Sequence, residues 1–356
     1  MAGLAGVMKG RVVVLDQIEG RAAAALMVDG RLEDILIDPP EGTAPAPGAI
    51  LRAVCDRPLK GQGGMILRLP DGQAGFLRQA KGLSPGQVLL VQVSGLGQDG
   101  KATPVTTRLL FKSRYGIVTP DAPGLNIARS IRDEEERDRL LEIAHIGMEG
   151  APASFGLILR SASDGQPEDA LLADITAMRD LAEAVTADAE GAPELLLDAP
   201  HAHLLAWRDW SSPAPGAIED AAGAFAAQGV LEALDACLAP AVPLAAGASM
   251  IVEPTSALVA VDVNTGADAS LAAGLKANLA AARDLPRQLR LRGLGGQITM
   301  DVAPMPKKDR RQFEDALRRA FRADATDTVL AGWTPLGLYE LQRKRDRWPL
   351  KDLMPS

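Results

Sequence analysis

Residues 250–305 read MIVEPTSALVAVDVNTGADASLAAGLKANLAAARDLPRQLRLRGLGGQITMDVAPM. MIVEPTSALVAVDVNTG predicts a strand ending at Asp262. QITMDVAP predicts a second strand carrying Asp301, so that both aspartates lie late in their strands. Between them lies an Ala/Leu-rich stretch, roughly 270–292, with the spacing of a helix, stopped by Gly293, Gly295 and Gly296. Pro286 falls inside that stretch and is expected to kink the helix or split it in two. Strand, helix, strand is a βαβ unit, which puts two parallel strands in one sheet. Ligands of open α/β sheets bind beyond the carboxyl ends of the strands, where both aspartates fall. Two converging carboxylates repel one another unless a cation or a shared proton lies between them. Mg²⁺ suits such a pair, because it takes one or two carboxylates, keeps several waters and meets substrate phosphate. Asn264, two residues beyond Asp262, points to the same face and is placed to hold a metal-bound water or a phosphate. Each aspartate alone reads as an ordinary strand-end residue; the two together, with a basic segment following, favour a metal site.

That basic segment emerges only when the charge is divided. The whole chain of 356 residues carries 38 Lys+Arg and 46 Asp+Glu, net −8, which by itself argues against a general nucleic-acid coat protein. Residues 1–275 hold 21 basic and 36 acidic residues, whereas residues 276–356 hold 17 basic and 10 acidic. The C-terminal excess, including Arg287, Arg290, Arg292, Lys307, Lys308, Arg310, Arg311 and the run Arg343-Lys344-Arg345, reads either as a solvated helical face or as a polyanion-binding surface. A hard cation beside such a patch suits a phosphodiester: the metal activates water, and Lys307, Lys308 and Arg290 hold flanking phosphates.

Other chemistries fare worse. Cys55 and Cys237 are the only cysteines and His145, His201 and His203 the only histidines, too few for a disulfide framework, a four-thiolate zinc site or a histidine-rich metal site. His201 and His203 alternate on what reads as a strand, with no nucleophile beside them. Gly95–Gly100 satisfies G-x-G-x-x-G but leads into KATPVTT, another strand rather than a helix, so it reads as a hairpin loop. No P-loop and no G-x-S-x-G occur. Aromatic residues make up 3% of the chain, so base stacking has few rings to use. No signal-peptide pattern and no ~18-residue apolar run is present, which makes the cytoplasm the expected compartment and no membrane span the expectation.

Toward the N-terminus, GRVVVLD (10–16) and residues 22–38 predict strands with a hairpin at Asp29-Gly30. A Pro/Gly/Ala-rich linker occupies 39–48. About five short strands then follow in ~65 residues, the pattern of an OB-fold or another small β-module. Phe76 is placed to stack a base on that barrel, or else fills its core, and Lys101 either meets a phosphate or is a plain solvated lysine. Residues 114–200 mix an acidic helix (RDEEERDRLLEIAH), a strand (FGLILRSAS) and an amphipathic helix (LLADITAMRDLAEAVTADA).

At LVAVDVNTG (258–266), ANLAAARDLPRQLRLRGLGGQITMD (277–301) and WTPLGLYELQRKR (333–345) the chain resembles the ribonuclease E/G family of bacterial endoribonucleases. DGRLEDILID, DRPLKGQGGMILRLPDGQAGFL, KATPVTTRLLF and GLNIARSIRDEEER extend the likeness over most of the sequence. The resemblance implies an α/β, multi-subdomain architecture: an RNase H-like subdomain (1–38 and 201–249) interrupted by an OB-fold RNA-binding barrel (39–113) and a 5′-sensor region (114–200), then a DNase I-like catalytic subdomain (250–356). It implies that Asp262 and Asp301 bind one Mg²⁺ with Asn264 in support, and that single-stranded RNA is hydrolysed to 5′-phosphate and 3′-hydroxyl ends. It also implies RNA contacts from Phe76 and Lys101, and a grip on a 5′-monophosphate from Arg160 and Ser161, with Ser in place of the family's Thr.

Three departures accompany it. Ile66 stands where the family has the barrel's other stacking aromatic. Asp327 stands where the family has a basic residue near the 5′-sensor, which puts 5′-monophosphate dependence in question. The C-x-x-C that shares a zinc between two subunits has no counterpart after Cys237, so neither zinc nor a zinc-linked dimer is expected. The expectation is therefore a compact Mg²⁺-dependent endoribonuclease; the alternative is a non-catalytic RNA-binding protein that retains the metal site.

Overall fold

The computed structural model describes residues 10–43, 45–59, 61, 63–97 and 100–354. They form two compact units. One takes Val14–Pro39 with the chain from Glu219 onward; the other takes Pro40–Ile218 and the short run Arg11–Val13.

The first unit is built on a six-stranded sheet in the order Ala241–Pro243, Ser249–Pro254, Val259–Asn264, Gly296–Asp301, Tyr339–Arg343, Thr328–Trp333. Only the central pair, Val259–Asn264 with Gly296–Asp301, is parallel. A parallel pair needs a crossover, and the helix Leu271–Leu291 supplies it. Val259, Val261 and Val263 are buried while Asp262 and Asn264 are exposed, the two-residue alternation of a sheet with one covered face. Met250, Val261, Ile298 and Met300 pack there against Ala277, Ala281, Leu285 and Leu289 of the crossover helix and Phe313 and Leu317 of a second helix, Arg310–Arg322. The helix Leu271–Leu291 runs unbroken through Pro286, so the expected split does not occur. Proline costs a helix interior about 3 kcal/mol, and here a long, fully buried apolar face offsets it. In the same unit Arg21–Val28 and Arg31–Ile37 make the expected hairpin, with Asp29 at φ +50° and Gly30 at φ +74° as a type I′ turn requires.

The second unit contains a closed five-stranded barrel. Ile50–Leu59, Gly64–Arg68, Ala74–Leu77, Thr103–Thr106 and Val88–Val93 pair in that order, and Ile50–Val54 closes the ring on Val88–Gln92. Leu51, Ala53, Met65, Leu67, Val91 and Val105 fill its interior. The G-x-G-x-x-G loop joins two of these strands, although its residues 98–99 lie outside the described residues. A small sheet follows, ordered Gly124–Ile127, Gly156–Leu159, Gly116–Thr119, Phe111–Lys112, with helices Glu134–Gly147 and Glu168–Ala187 packed on it. The reading of His201 and His203 as strand residues is overturned. His201 caps the helix Ala202–Asp209, its Nδ1 accepting from the Leu204 N–H at 3.4 Å, and His203 lies in the first turn. The preceding strand already ends at Leu197, and an N-cap acceptor ahead of the first helical turn is a helix start that alternation alone conceals. Among the described residues no helix is long and apolar enough to cross a membrane.

Candidate active site

Parallel pairing sets Asp262 directly opposite Asp301, so two exposed carboxylates stand side by side at the carboxyl edge of the central strands. The Asn264 side-chain N–H donates to Asp262 Oδ2 at 2.7 Å, which fixes that carboxylate's rotamer. No cluster of three or more His, Cys, Asp or Glu residues occurs among the described residues. A two-carboxylate edge open to water has the donor set of a hydrated Mg²⁺ and lacks the denser ligand shell of Ca²⁺ or the nitrogen and sulfur ligands of zinc.

Two features of the crossover helix, neither anticipated from the sequence, position the Asp301 side of this edge. Asn278 is fully buried; its Nδ2 donates to the Ala303 carbonyl at 2.8 Å and its Oδ1 accepts from the Ala303 N–H at 2.9 Å. This pair of bonds holds the backbone two residues past Asp301. Gly274 lets the same segment approach the helix, since a Cβ there would come within 2.0 Å of the Pro304 carbonyl oxygen. A lone Asn on the apolar face of an Ala/Leu helix is the signal that could have singled out Asn278.

Of the basic residues expected here, Lys307 and Lys308 come six and seven residues after Asp301, exposed in the single turn Lys307–Asp309. Arg310 stacks over the Trp333 ring at 4.3 Å, near Tyr339, which pairs with Met300 beside Asp301. Arg290 is not brought to this edge. The helix runs back from the aspartates, so its last turn lies toward Gly296, at the other end of the strand. There Arg290 donates to Glu33 at 2.7 Å and to Asp324, while Arg343 donates to Asp324 at 2.6 Å and Arg347 engages Asp34. Burial pulls the Arg343 guanidinium pKa down, against the opposing pull of Asp324. Arg287 and Arg292 are likewise engaged, with Asp284 and with Gln288. The C-terminal basic excess therefore splits, and much of it serves internal pairing. Asp327 is exposed and also lies toward this far end, one residue before Thr328, which pairs with Arg343.

In the second unit Phe76 is half-buried on the outer barrel wall, directly across from Ile66 and beside Pro104. Its ring lies over Gly64, where a Cβ would be 2.3 Å from it. Lys101 is exposed just before the strand Thr103–Thr106. Residues 39–113 carry nine basic and four acidic residues, so the barrel is a basic island within the acidic body, which a count over 1–275 averaged away. Ser161 is exposed, but Arg160 is already engaged: it donates to the Ser113 carbonyl at 2.7 Å and to Asp209 at 2.8 Å. Burial acts to raise the Asp209 pKa, but its bonds from Arg208 and Arg160 outweigh that and hold it below the usual carboxylate value.

A model of the ribonuclease E/G family matches residues 111–220 and 217–346. Ribonuclease E of Nostoc sp. is 30% identical over 302 residues, 74% of this chain and 44% of its own length. Ribonuclease G of Salmonella typhimurium is 28% identical over 74% of this chain and 60% of its own length. Ribonuclease G of Escherichia coli K12 is 27% identical over 76% of this chain and 62% of its own length. The chain thus spans about half the length of the curated relatives it matches.

Proposed function

Because the chain belongs to the ribonuclease E/G family, we propose that it is an endoribonuclease that hydrolyses single-stranded RNA at a Mg²⁺ centre held by Asp262 and Asp301. The observation that carries this reading is the Asp262–Asp301 register across the only parallel strand pair of the sheet. When bound, Mg²⁺ supplies a Lewis acid for the phosphoryl oxygens and water of lowered pKa. Asp262 and Asp301 hold it by one carboxylate each, and Asn264 keeps the Asp262 carboxylate turned to the edge. Lys307 and Lys308 receive the phosphates flanking the scissile bond. Inversion by attacking water, with the 3′-oxygen leaving, gives 5′-phosphate and 3′-hydroxyl products.

In the same reading the closed barrel is the OB-type RNA-binding module, with Phe76 and Lys101 on its RNA face, and the βαβ sheet is the DNase I-like part. The RNase H-like part, a 5′-sensor around Ser161 and a role in cytoplasmic RNA processing complete the assignment. Cleavage of an A/U-rich single-stranded oligonucleotide with and without Mg²⁺ tests it. The expected result is cutting that EDTA abolishes, and that Asp262→Asn or Asp301→Asn reduces to background while RNA binding persists. Wild-type-like turnover by either variant overturns the site. RNA bound but never cut by the parent chain overturns the activity in favour of a non-catalytic RNA-binding protein.

A further inference from the structure

Arg160 is engaged, and its backbone N–H donates at 2.8 Å to the carbonyl of Tyr115, the residue after Arg114. Arg114 sits in the tight turn between Phe111–Lys112 and Gly116–Thr119. That turn is pinned: the Ser113 N–H donates to the Gly116 carbonyl at 2.9 Å, the Gly116 N–H to Ser113 Oγ at 3.0 Å, and the Tyr115 N–H to Asp174 at 3.2 Å. The Arg114 guanidinium lies 5.4 Å from the Tyr115 ring centroid and 5.0 Å from that of Trp207. Its Nε is buried with no hydrogen-bond partner, and its terminal nitrogens make no hydrogen bond or ion pair among the described residues. Trp207 remains 47% exposed, a large ring surface for a residue that one cation already covers in part.

Arg160 explains why the two groups stay together. Its Nη1 donates to the carbonyls of Ser113, just before Arg114, and of Arg208, just after Trp207. The nearby carboxylate, Asp209, is neutralised by Arg160 and Arg208. A guanidinium close to two rings, its terminal donors unused and the neighbouring Asp209 and Asp174 carboxylates engaged by other donors, is arranged to meet an external anion.

We propose that Arg114 and Trp207 form a nucleotide clamp for single-stranded RNA, Arg114 taking an internal phosphodiester and the open part of the Trp207 indole stacking the adjoining base. This rests on the reading of RNA as substrate. It differs from a 5′-end grip, because it requires no terminal phosphate.

The test is fluorescence anisotropy of a 3′-labelled, 5′-hydroxyl 12-mer RNA in EDTA, where no cutting intervenes. Trp207→Ala is expected to weaken binding about tenfold and Trp207→Phe far less, since any ring can stack. Arg114→Ala is expected to lower the slope of log K against log salt by about 0.7, the share of one phosphate contact on a single strand. RNA should also quench tryptophan emission in the parent, and the quench should be lost in Trp207→Phe even where Trp207→Ala fails to fold. A parent that binds RNA, with variants that bind within twofold of it or no Trp207-dependent quench, overturns the clamp and leaves the RNA reading standing. A parent that binds no RNA overturns both.

Discussion

Asn264 shows how much of the candidate site depends on one hydrogen bond. Asp262 and Asp301 are side by side, and a carboxylate free to rotate would present its lone pairs in many directions. The 2.7 Å bond from Asn264 removes that freedom for Asp262. Such supporting partners typically contribute about 10–100-fold to metal affinity or activity. Asn264→Ala should therefore raise the Mg²⁺ concentration for half-maximal cleavage about tenfold while leaving RNA binding in EDTA unchanged; an unaltered Mg²⁺ titration would remove Asn264 from the site. At this scale the aspartates were legible because an apolar run carries an acid late in each of two strands. The fate of Arg290 was not legible: its partners, Glu33 and Asp324, come from opposite ends of the chain, and no local pattern announces them.

The crossover helix Leu271–Leu291 carries the next level of the argument. Its order between two strands was readable from the 3.6-residue spacing and the glycines that stop it. Its survival through Pro286 was not, because that depends on the apolar area buried along its length. The same helix holds the segment after Asp301 through Asn278, whose amide is satisfied on both sides by Ala303. Removing that amide strands a buried N–H and a buried carbonyl, at a cost of about 1–3 kcal/mol each. Asn278→Ala should lower the urea midpoint accordingly. It should also slow cleavage at saturating Mg²⁺ even below the temperature where it begins to melt, since Asp301 loses its anchor. Stability reduced with unchanged turnover of the folded fraction would mean that Asn278 supports the core alone. The histidine misreading belongs to this scale too: over five residues the alternation of a strand and the first turn of a short helix look alike, and only the cap decides.

Across the whole molecule, net charge proves a poor guide to where basic surface lies. Over the full chain it is −8, yet the barrel segment 39–113 is basic and so is the C-terminal segment. Within the C-terminal segment the basic side chains have two fates. Arg343 is 2% exposed and bonded to Asp324, whose side chain is 1% exposed, while Lys307 and Lys308 are exposed beyond Asp301. The two classes should respond oppositely to removal. Arg343→Ala leaves a buried Asp324 carboxylate with one fewer partner, and breaking such a pair costs about 3–5 kcal/mol. Its folded fraction should bind RNA with parental affinity. The double variant Lys307→Ala/Lys308→Ala should keep the parental urea midpoint but bind RNA several-fold more weakly. Its log–log salt slope should fall by about 1.4, the share of two phosphates no longer neutralised. Urea melts and salt titrations on the same two proteins decide the matter. If Arg343→Ala loses affinity without losing stability, or the lysine pair loses stability without losing affinity, the division of this basic segment into an internal and an RNA-facing half is wrong.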